Sequence, residues 1–465
     1  RLSLDDLKLK TVYRPENGSA YAGDMTLHFD AEKMLFSSIS PDDNTWQVFE
    51  INTDGSGLRQ VTPDIGADVD SYNGIYTPEG KIIFCSTANM TGIPCIGGKD
   101  NVGTLYTCDL NGDGMRQLTF EQDADWYPWV MDDGKIMYLR WEYTDNAHYF
   151  TRILMTMNPD GTQQRSLYGS NSYWPATMFY AKNIPGSNSK FAAIVSGHHG
   201  ISREGELVLF DVSKGETETD GAVQKVPGFG KPVQNIIRDK YAVGNWPRFV
   251  HSVPLSDSYF LAAGRLAPGR RFGIYLLDRF DNILLLKEDD QLNLFEPVPL
   301  KARKTPPVIP SRVNLESDEA VLYIQDIYEG PGLAGIPRGT VKSLRLLTYG
   351  YGYRDIGGHD ALTIEGGWDT KRILGTVPVH PDGSVMVRVP HSTPISIQPL
   401  DQNGAAVQLM RSWLVAMPGE SLSCVGCHES ARTPPLQRMT QAMRGGPQPL
   451  TPWRNEKPHG FGFLR

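Results

Sequence analysis

The sequence predicts an all-β chain built on a β-propeller of about six blades, followed by a small β extension and a C-terminal segment of different character. Three observations carry that prediction. Short apolar strands recur at intervals of roughly 45 to 50 residues between residues 30 and 290, three or four to a unit. Each of the first units closes on a turn of the form Asn-x-Asp-Gly, which supplies the positive φ that a tight hairpin demands. Gly (47 residues) and Pro (33) are abundant and aromatics reach 10%, as expected of many short strands joined by tight turns.

Residues 1–30 carry no clear repeat and are expected to form an N-terminal strap. The propeller is expected over 31–350. Its first unit runs Met34-Leu35-Phe36-Ser37-Ser38, then Gln47-Val48-Phe49-Glu50-Ile51 into Asn52-Thr53-Asp54-Gly55, and ends on Leu58-Arg59-Gln60-Val61-Thr62. The second places Lys81-Ile82-Ile83-Phe84-Cys85 before Leu105-Tyr106-Thr107-Cys108 and Asn111-Gly112-Asp113-Gly114, and the third places Lys135-Ile136-Met137-Tyr138-Leu139 before Ile153-Leu154-Met155-Thr156-Met157 and Asn158-Pro159-Asp160-Gly161. Innermost strands are marked by Trp126-Tyr127-Pro128, Tyr173-Trp174-Pro175 and Asn245-Trp246-Pro247, because proline is tolerated where a strand begins. Looser units follow around Phe191–Val195 and Tyr259–Ala263, and strands at 320–324 and 341–347 are expected to close the ring. A Pro- and Lys/Arg-rich loop spans 299–313. Strands at 373–379, 385–389 and 395–400 predict a β-rich extension or last blade over 351–415.

A net charge of −8 and a pI near 5.7 argue against a sequence-independent grip on nucleic acid. No apolar run is long enough to span a bilayer. Residue 1 is Arg and no secretory signal opens the chain, so a mature or trimmed form is expected, its export signal already removed.

Residues 416–465 differ in kind, for they hold Cys424-Val425-Gly426-Cys427-His428. Two thiols at this spacing reach the two vinyl groups of one porphyrin, and the following imidazole turns onto its iron: the signal for covalent attachment of one c-type haem. A zinc half-site wants a second pair of soft ligands at similar spacing, and no second CxxC occurs. A thioredoxin-like pair belongs near a βαβ pattern, and none surrounds it. Because this haem is attached outside the bacterial inner membrane, the motif predicts a periplasmic or otherwise exported protein.

With the repeat and the haem motif in view, the chain resembles the propeller and first-haem region of the hydrazine synthase α subunit family, and its Asp-Gly turns resemble TolB-like blades. The residues that carry the family resemblance include Gly92-Ile93-Pro94-Cys95-Ile96-Gly97-Gly98, Asp125-Trp126-Tyr127-Pro128-Trp129, Leu139-Arg140-Trp141-Glu142-Tyr143, Gly169-Ser170-Asn171-Ser172-Tyr173-Trp174-Pro175 and Ser196-Gly197-His198-His199-Gly200. They continue in Glu329-Gly330-Pro331-Gly332-Leu333, Ile336-Pro337-Arg338-Gly339 and Met417-Pro418-Gly419-Glu420. The resemblance implies a six-bladed propeller carrying a catalytic c-type haem with zinc beside it, small nitrogen compounds such as hydroxylamine, nitric oxide or ammonia as substrates, and redox partners or other subunits. It further implies that His428 faces the zinc, that Cys95 from the propeller helps hold that metal, and that a Tyr just past the motif ligates iron. No Tyr follows Tyr353 in this sequence, and Arg432 stands about where the ligand is expected. The family's second haem domain is likewise not expected within these 465 residues, which hold one CxxCH.

Cys424, Cys427 and His428 are thus the expected haem-binding residues, with Arg140 and Arg432 beside them. His428 is either an iron ligand or, with Cys95, a zinc ligand. Cys85 and Cys108 read as buried thiols or a cross-strand pair. For the opposite haem face the sequence offers His148, His198, His199, His251, His459, Met439 and Met443. The His198-His199 pair is the first choice there, because flanking glycines predict a tight loop tip. Acid–base candidates are Asp125, Glu142, Asp145 and Glu429, with Asp125 expected to face the central channel, where burial shifts a carboxyl. Each also has a plainer reading, as a turn residue, a salt bridge or core. Two rivals to a haem-dependent oxidoreductase stand: an electron-transfer cytochrome with both axial positions filled, and a haem-free interaction propeller whose Cys424, Cys427, His428 and Cys95 form a structural zinc site.

Overall fold

The structure is a computed structural model that describes residues 1–6, 8–15, 21–42, 44–93, 96–143, 152–201, 203–355, 370–427 and 436–452. Five four-stranded antiparallel sheets follow one another in chain order. The first holds β1 (Ala22–Leu27), β2 (Lys33–Ile39), β3 (Trp46–Asn52) and β4 (Arg59–Gln60), and the second holds β5 (Ser71–Tyr76), β6 (Lys81–Ser86), β7 (Thr104–Asp109) and β8 (Arg116–Gln117). In the third are β9 (Asp125–Val130), β10 (Ile136–Trp141), β11 (Arg152–Met157) and β12 (Arg165–Tyr168). The fourth comprises β13 (Thr177–Asn183), β14 (Lys190–Ser196), β15 (Glu206–Asp211) and β16 (Ala222–Val226), the fifth β17 (Arg248–Pro254), β18 (Tyr259–Arg265), β19 (Gly273–Asp278) and β20 (Ile283–Lys287).

Why these segments stack as blades is visible in their burial. Every residue of β10 and β11 is buried, so both faces of the strand lie against neighbouring sheets, and an unbroken apolar run such as Ile136-Met137-Tyr138-Leu139 suits that position. The innermost strands share a second device. Asp24, Asn73, Tyr127, Tyr180 and His251 all sit at φ between 51° and 55°, each where its strand slips register against the next. A bulge at one equivalent position per blade turns that residue's side chain into the central channel, which all five line. Glu296, at φ 50°, takes a sixth place. Its carboxylate accepts from Met25 N at 3.0 Å and Tyr21 Oη at 3.3 Å, so an extended segment stands between the fifth sheet and the first. The ring therefore has six places, five of them filled by four-stranded sheets.

Two assignments shift. The span expected as a strap contains β1, the inner strand of the first blade. The strands expected to close the ring, β21 (Glu319–Ile324) and β22 (Ser343–Gly350), join the extension instead. With β23 (Thr370–Pro378), β24 (Val385–Pro390), β25 (Ser396–Leu400) and β26 (Ser421–Cys424) they make two three-stranded sheets, ordered β24-β21-β26 and β23-β22-β25. The reason is their alternation: Ala320, Leu322 and Ile324 are buried while Val321 and Tyr323 are only partly so, as in a strand with one face on a core. That core joins both sheets through Leu344, Leu346, Val377, Val385 and Val387. A short α1 (Gln441–Gly445), capped by the Thr440 hydroxyl, packs near β24.

The two-sheet unit is fastened to the propeller at several points. Tyr349, Trp413, Val415 and Met417 pack on Phe120. Glu420 receives Gln163 N and Met417 N at 2.8 Å each, and Asp160 receives Arg312 N at 2.6 Å. Among the described residues, no helix is long and apolar enough to cross a membrane.

Candidate functional site

Cys424 ends β26, which runs parallel to β21 with Ile324 opposite it. The chain then turns, and the turn is held by its backbone: Gln325 N donates to Cys424 O (3.0 Å), Asp326 N to Val425 O (2.9 Å) and Gly332 N to Cys427 O (3.1 Å). Only glycine fits at 426, because a Cβ would stand 2.6 Å from Asp326 O and closer still to Glu329 O. The loop beneath is fixed in turn. Asp326 is 1% exposed and takes the guanidinium groups of Arg338 and Arg438 at 2.8 Å each. Two thiols, three positions apart and both partly buried, are thus presented from one turn at the edge of a rigid sheet. That donor set fits thioether attachment to a single flat macrocycle. His428, Arg432 and Cys95 lie outside the described residues, as do His148, Asp145, Glu429 and His459. Among the described residues, no cluster of three or more His, Cys, Asp or Glu side chains is arranged to hold a metal ion.

In each blade the loop between second and third strands lies at one end of the ring, the upper face, opposite the turn between first and second strands. Among the described residues, 87–93 and 96–103 belong to that loop in the second blade, 142–143 in the third, and 197–201 with 203–205 in the fourth. The first is laced to the end of β22: Gly92 N donates to Gly352 O (3.1 Å), and Arg354 N to Met90 O (3.1 Å). Gln122 closes the junction, donating to Gly92 O at 3.0 Å and accepting from Gly352 N at 2.7 Å.

The structure brings His198 and His199 onto this upper face beside Arg152, Trp141 and Tyr143. His198 Nδ1 meets the Arg152 guanidinium, which lies 4.4 Å over the Trp141 ring. Burial, then the Arg152 and His199 charges, push the His198 imidazole down to about 3, so it is neutral at physiological pH. Arg152 is itself lowered to about 9 by burial and by Arg203. His199 turns outward, with Nδ1 3.0 Å from the Asp239 carboxylate. The expected tight tip is present, since His198 N donates back to Asp239 O at 2.9 Å.

Arg140 and Asp125 lie deeper, opposite each other on β10 and β9. Arg140 is 3% exposed. Its guanidinium pairs with Glu142, reaches Glu121 at 3.4 Å and Ser412 Oγ at 3.1 Å, and stacks 4.7 Å from the Trp413 ring. Ser412 Oγ donates to Glu142 at 2.7 Å, and Trp413 Nε1 to Glu121 at 3.3 Å. Burial opposes the Arg140 charge, yet Glu142 and Glu121 outweigh it and hold its pKa above the ordinary value. Arg140 therefore rivets the propeller to the two-sheet unit. Asp125 is fully buried; burial first, and the Glu121 charge second, hold its carboxyl well above the usual range. The channel-lining residue of its strand is Tyr127, two positions on.

The remaining candidates separate from this site. His251 lines the central channel, and Met439 and Met443 are exposed. Cys85 and Cys108 are buried thiols without a disulfide: β6 and β7 set Cys108 opposite Ile82 and Cys85 opposite Leu105. Sequence reasoning missed Arg152, Glu121, Ser412 and Trp413. The one signal available for Arg152 was a cation heading a strand that is apolar through Met155.

Comparison with known proteins places the same segments. Residues 339–429, from just before β22 through the CxxC turn, match the family model of the hydrazine synthase alpha subunit middle domain. Hydrazine synthase subunit alpha of Kuenenia stuttgartiensis is 22% identical over 525 residues, covering 92% of this chain and 62% of that protein. The solved Kuenenia stuttgartiensis hydrazine synthase superposes with a TM-score of 0.73 at 18% identity, covering 92% of this chain and 65% of that one. TolB from Acinetobacter baumannii matches at a TM-score of 0.32 and 11% identity over 57% of this chain and 56% of its own, too little to carry weight. This chain spans less than two thirds of the length of the hydrazine synthase relatives it matches. A propeller, a two-sheet unit ending in CxxC, and a middle-domain match across that junction make this chain similar to the hydrazine synthase α subunit along most of its length.

Proposed function

We propose that this chain is an exported c-type haem protein with a function related to hydrazine synthase, acting on a small nitrogen compound at a haem attached to Cys424 and Cys427. The observation that carries the reading is the rigid turn that presents both thiols, within a segment matching the hydrazine synthase middle domain. When bound, such a haem supplies the one-electron redox chemistry that protein side chains lack.

The chain's own residues hold and surround that site. Gln325, Asp326 and Gly332 fix the turn, and Gln122 and Arg140 fix the two-sheet unit to the propeller. The second-blade loop on the upper face meets that junction through Gly92, and Arg152 and His198 lie on the same face. There Arg152 supplies a positive charge and His198 a neutral imidazole, the pair suited to binding and orienting a small polar substrate. Zinc held by Cys95 and His428 belongs to the same proposal, as do partner subunits, since the relative is itself named a subunit.

Haem-loaded protein distinguishes catalyst from carrier. Hydroxylamine or nitric oxide added to it is expected to shift the Soret band in a saturable way, and Arg152→Gln is expected to weaken that response about tenfold. A spectrum unmoved by either compound would sink the catalytic reading and leave an electron carrier.

A further inference from the structure

At the lower end of the central channel, away from the CxxC junction, the ring opens into a cavity of about 570 Å³. One wall is the Pro- and Lys/Arg-rich segment following the fifth blade, in which Pro299, Pro306 and Pro307 keep the chain extended and unpaired in any sheet. It contributes Lys301, Arg303 and Lys304; β13 contributes Lys182 from the opposite side. Against these four cations the wall has one carboxylate, Asp132, which already accepts from Gly186 N at 2.7 Å. A chain of net charge −8 thus concentrates positive charge in one concave place.

Lys182 is the informative member. Its Nζ sits 4.8 Å from the Trp129 ring centroid, with the Arg303 guanidinium 4.7 Å from the same ring. Among the described residues Lys182 makes no hydrogen bond or ion pair, and the nearby Glu296 is engaged by Met25 N and Tyr21 Oη. Burial and Arg303 together lower its ammonium to about 8, partly offset by Glu296. Lys182 is half-buried on the cavity wall, and a partly desolvated ammonium with no anion in contact gains from an incoming one. The rest of the wall is mainly apolar, with Trp129, Leu27 and prolines, and carries Thr26, His28, Asn183 and Thr305 as its further polar side chains.

We propose that this cavity is a binding site for a small organic anion, a carboxylate or phosphate group on a flat apolar body, held between Lys182 and Arg303 with the body against the Trp129 side of the wall. Lys301 and Lys304 at the exposed rim draw the anion in.

The test is isothermal titration of the full chain at low salt with benzene-1,3,5-tricarboxylate, and separately with inorganic phosphate. The tricarboxylate is expected to bind at one site per chain, and phosphate about tenfold or more weaker. Lys182→Met should weaken the tricarboxylate about tenfold without lowering the melting temperature, because the variant removes a half-buried charge lacking a contact anion. Lys301→Ala with Lys304→Ala, both at exposed positions, should weaken it several-fold and flatten its salt dependence. No saturable binding by about 1 mM tricarboxylate, phosphate binding as tightly as the tricarboxylate, or unchanged affinity in Lys182→Met would each overturn the proposal.

Discussion

Replacing Arg140 with Met tests whether the buried charge network fastens the propeller to the two-sheet unit. Methionine keeps much of the side-chain volume but leaves Glu121 and Glu142, 1% and 5% exposed, without their shared cation. Ser412 Oγ and the Trp413 ring lose a partner at the same time. Removing one member of a buried ion pair costs about 3–5 kcal/mol, chiefly because the other charge is stranded. The sign of the pH dependence follows from linkage. A buried charge without a partner disfavours the folded state, and protonation removes that charge, so the cost shrinks as pH falls. Urea unfolding followed by tryptophan fluorescence should therefore show a loss of about 3–5 kcal/mol at pH 7.5 and at least about 1 kcal/mol less at pH 5. Adding Glu121→Gln and Glu142→Gln should restore most of the loss, since no charge then remains stranded. A loss under about 1 kcal/mol, an equal loss at both pH values, or no recovery in the triple variant would refute the rivet.

Three further outcomes are expected. Burial, then the Glu296 charge, raise the Asp24 carboxyl to about 6, so its ionisation weighs against folding above that pH and is absent below the unfolded value near 3.8. Asp24→Asn, which tolerates the same positive φ, should stabilise by about 1–3 kcal/mol at pH 7.5 and by little at pH 4 in urea titrations; an equal gain at both would contradict the assignment. Gly426→Ala should clash with Asp326 O and Glu329 O, lowering the free energy of unfolding by about 1–3 kcal/mol and reducing haem loading, whereas normal loading would show the turn to be adaptable. The ring protons of His198 should show no titration between pH 5 and 8 by NMR, given a pKa near 3; a midpoint above 6 would remove the neutral imidazole from the account.

Local pattern made the blades legible. Runs such as Ile136–Leu139, and turns such as Asn158-Pro159-Asp160-Gly161, encode a doubly buried strand and its hairpin within a few residues. The inner strand of the first blade was not legible, because Ala22-Gly23-Asp24-Met25-Thr26-Leu27 has neither an apolar run nor the Trp-Pro mark. Its place is decided by pairing with β2 and by the channel. For β21 the sequence shows an unbroken apolar run, Ala320-Val321-Leu322-Tyr323-Ile324, so its alternating burial was not legible, and its partner β24 comes some sixty residues later, beyond any local signal.

The site divides in the same way. The CxxC motif announces its chemistry by spacing, while the role of Arg140 depends on Ser412 and Trp413, which are distant in sequence and adjacent in space. Asp125 was expected to face the channel, and it lies instead buried within the blade, opposite Arg140. Which residue of its strand faces the channel depended on a bulge that no pattern of side chains disclosed.

The central claim is that Cys424 and Cys427 carry one covalent haem. The most direct measurement is the absorption spectrum of the full chain, oxidised and dithionite-reduced in alkaline pyridine, after production in a host that attaches c-type haem, with zinc assayed on the same sample. A c-type haemochrome at one haem per chain, lost in Cys424→Ser with Cys427→Ser, is the predicted result. No haem and one zinc per chain would contradict it and make the motif a structural clasp on a binding propeller.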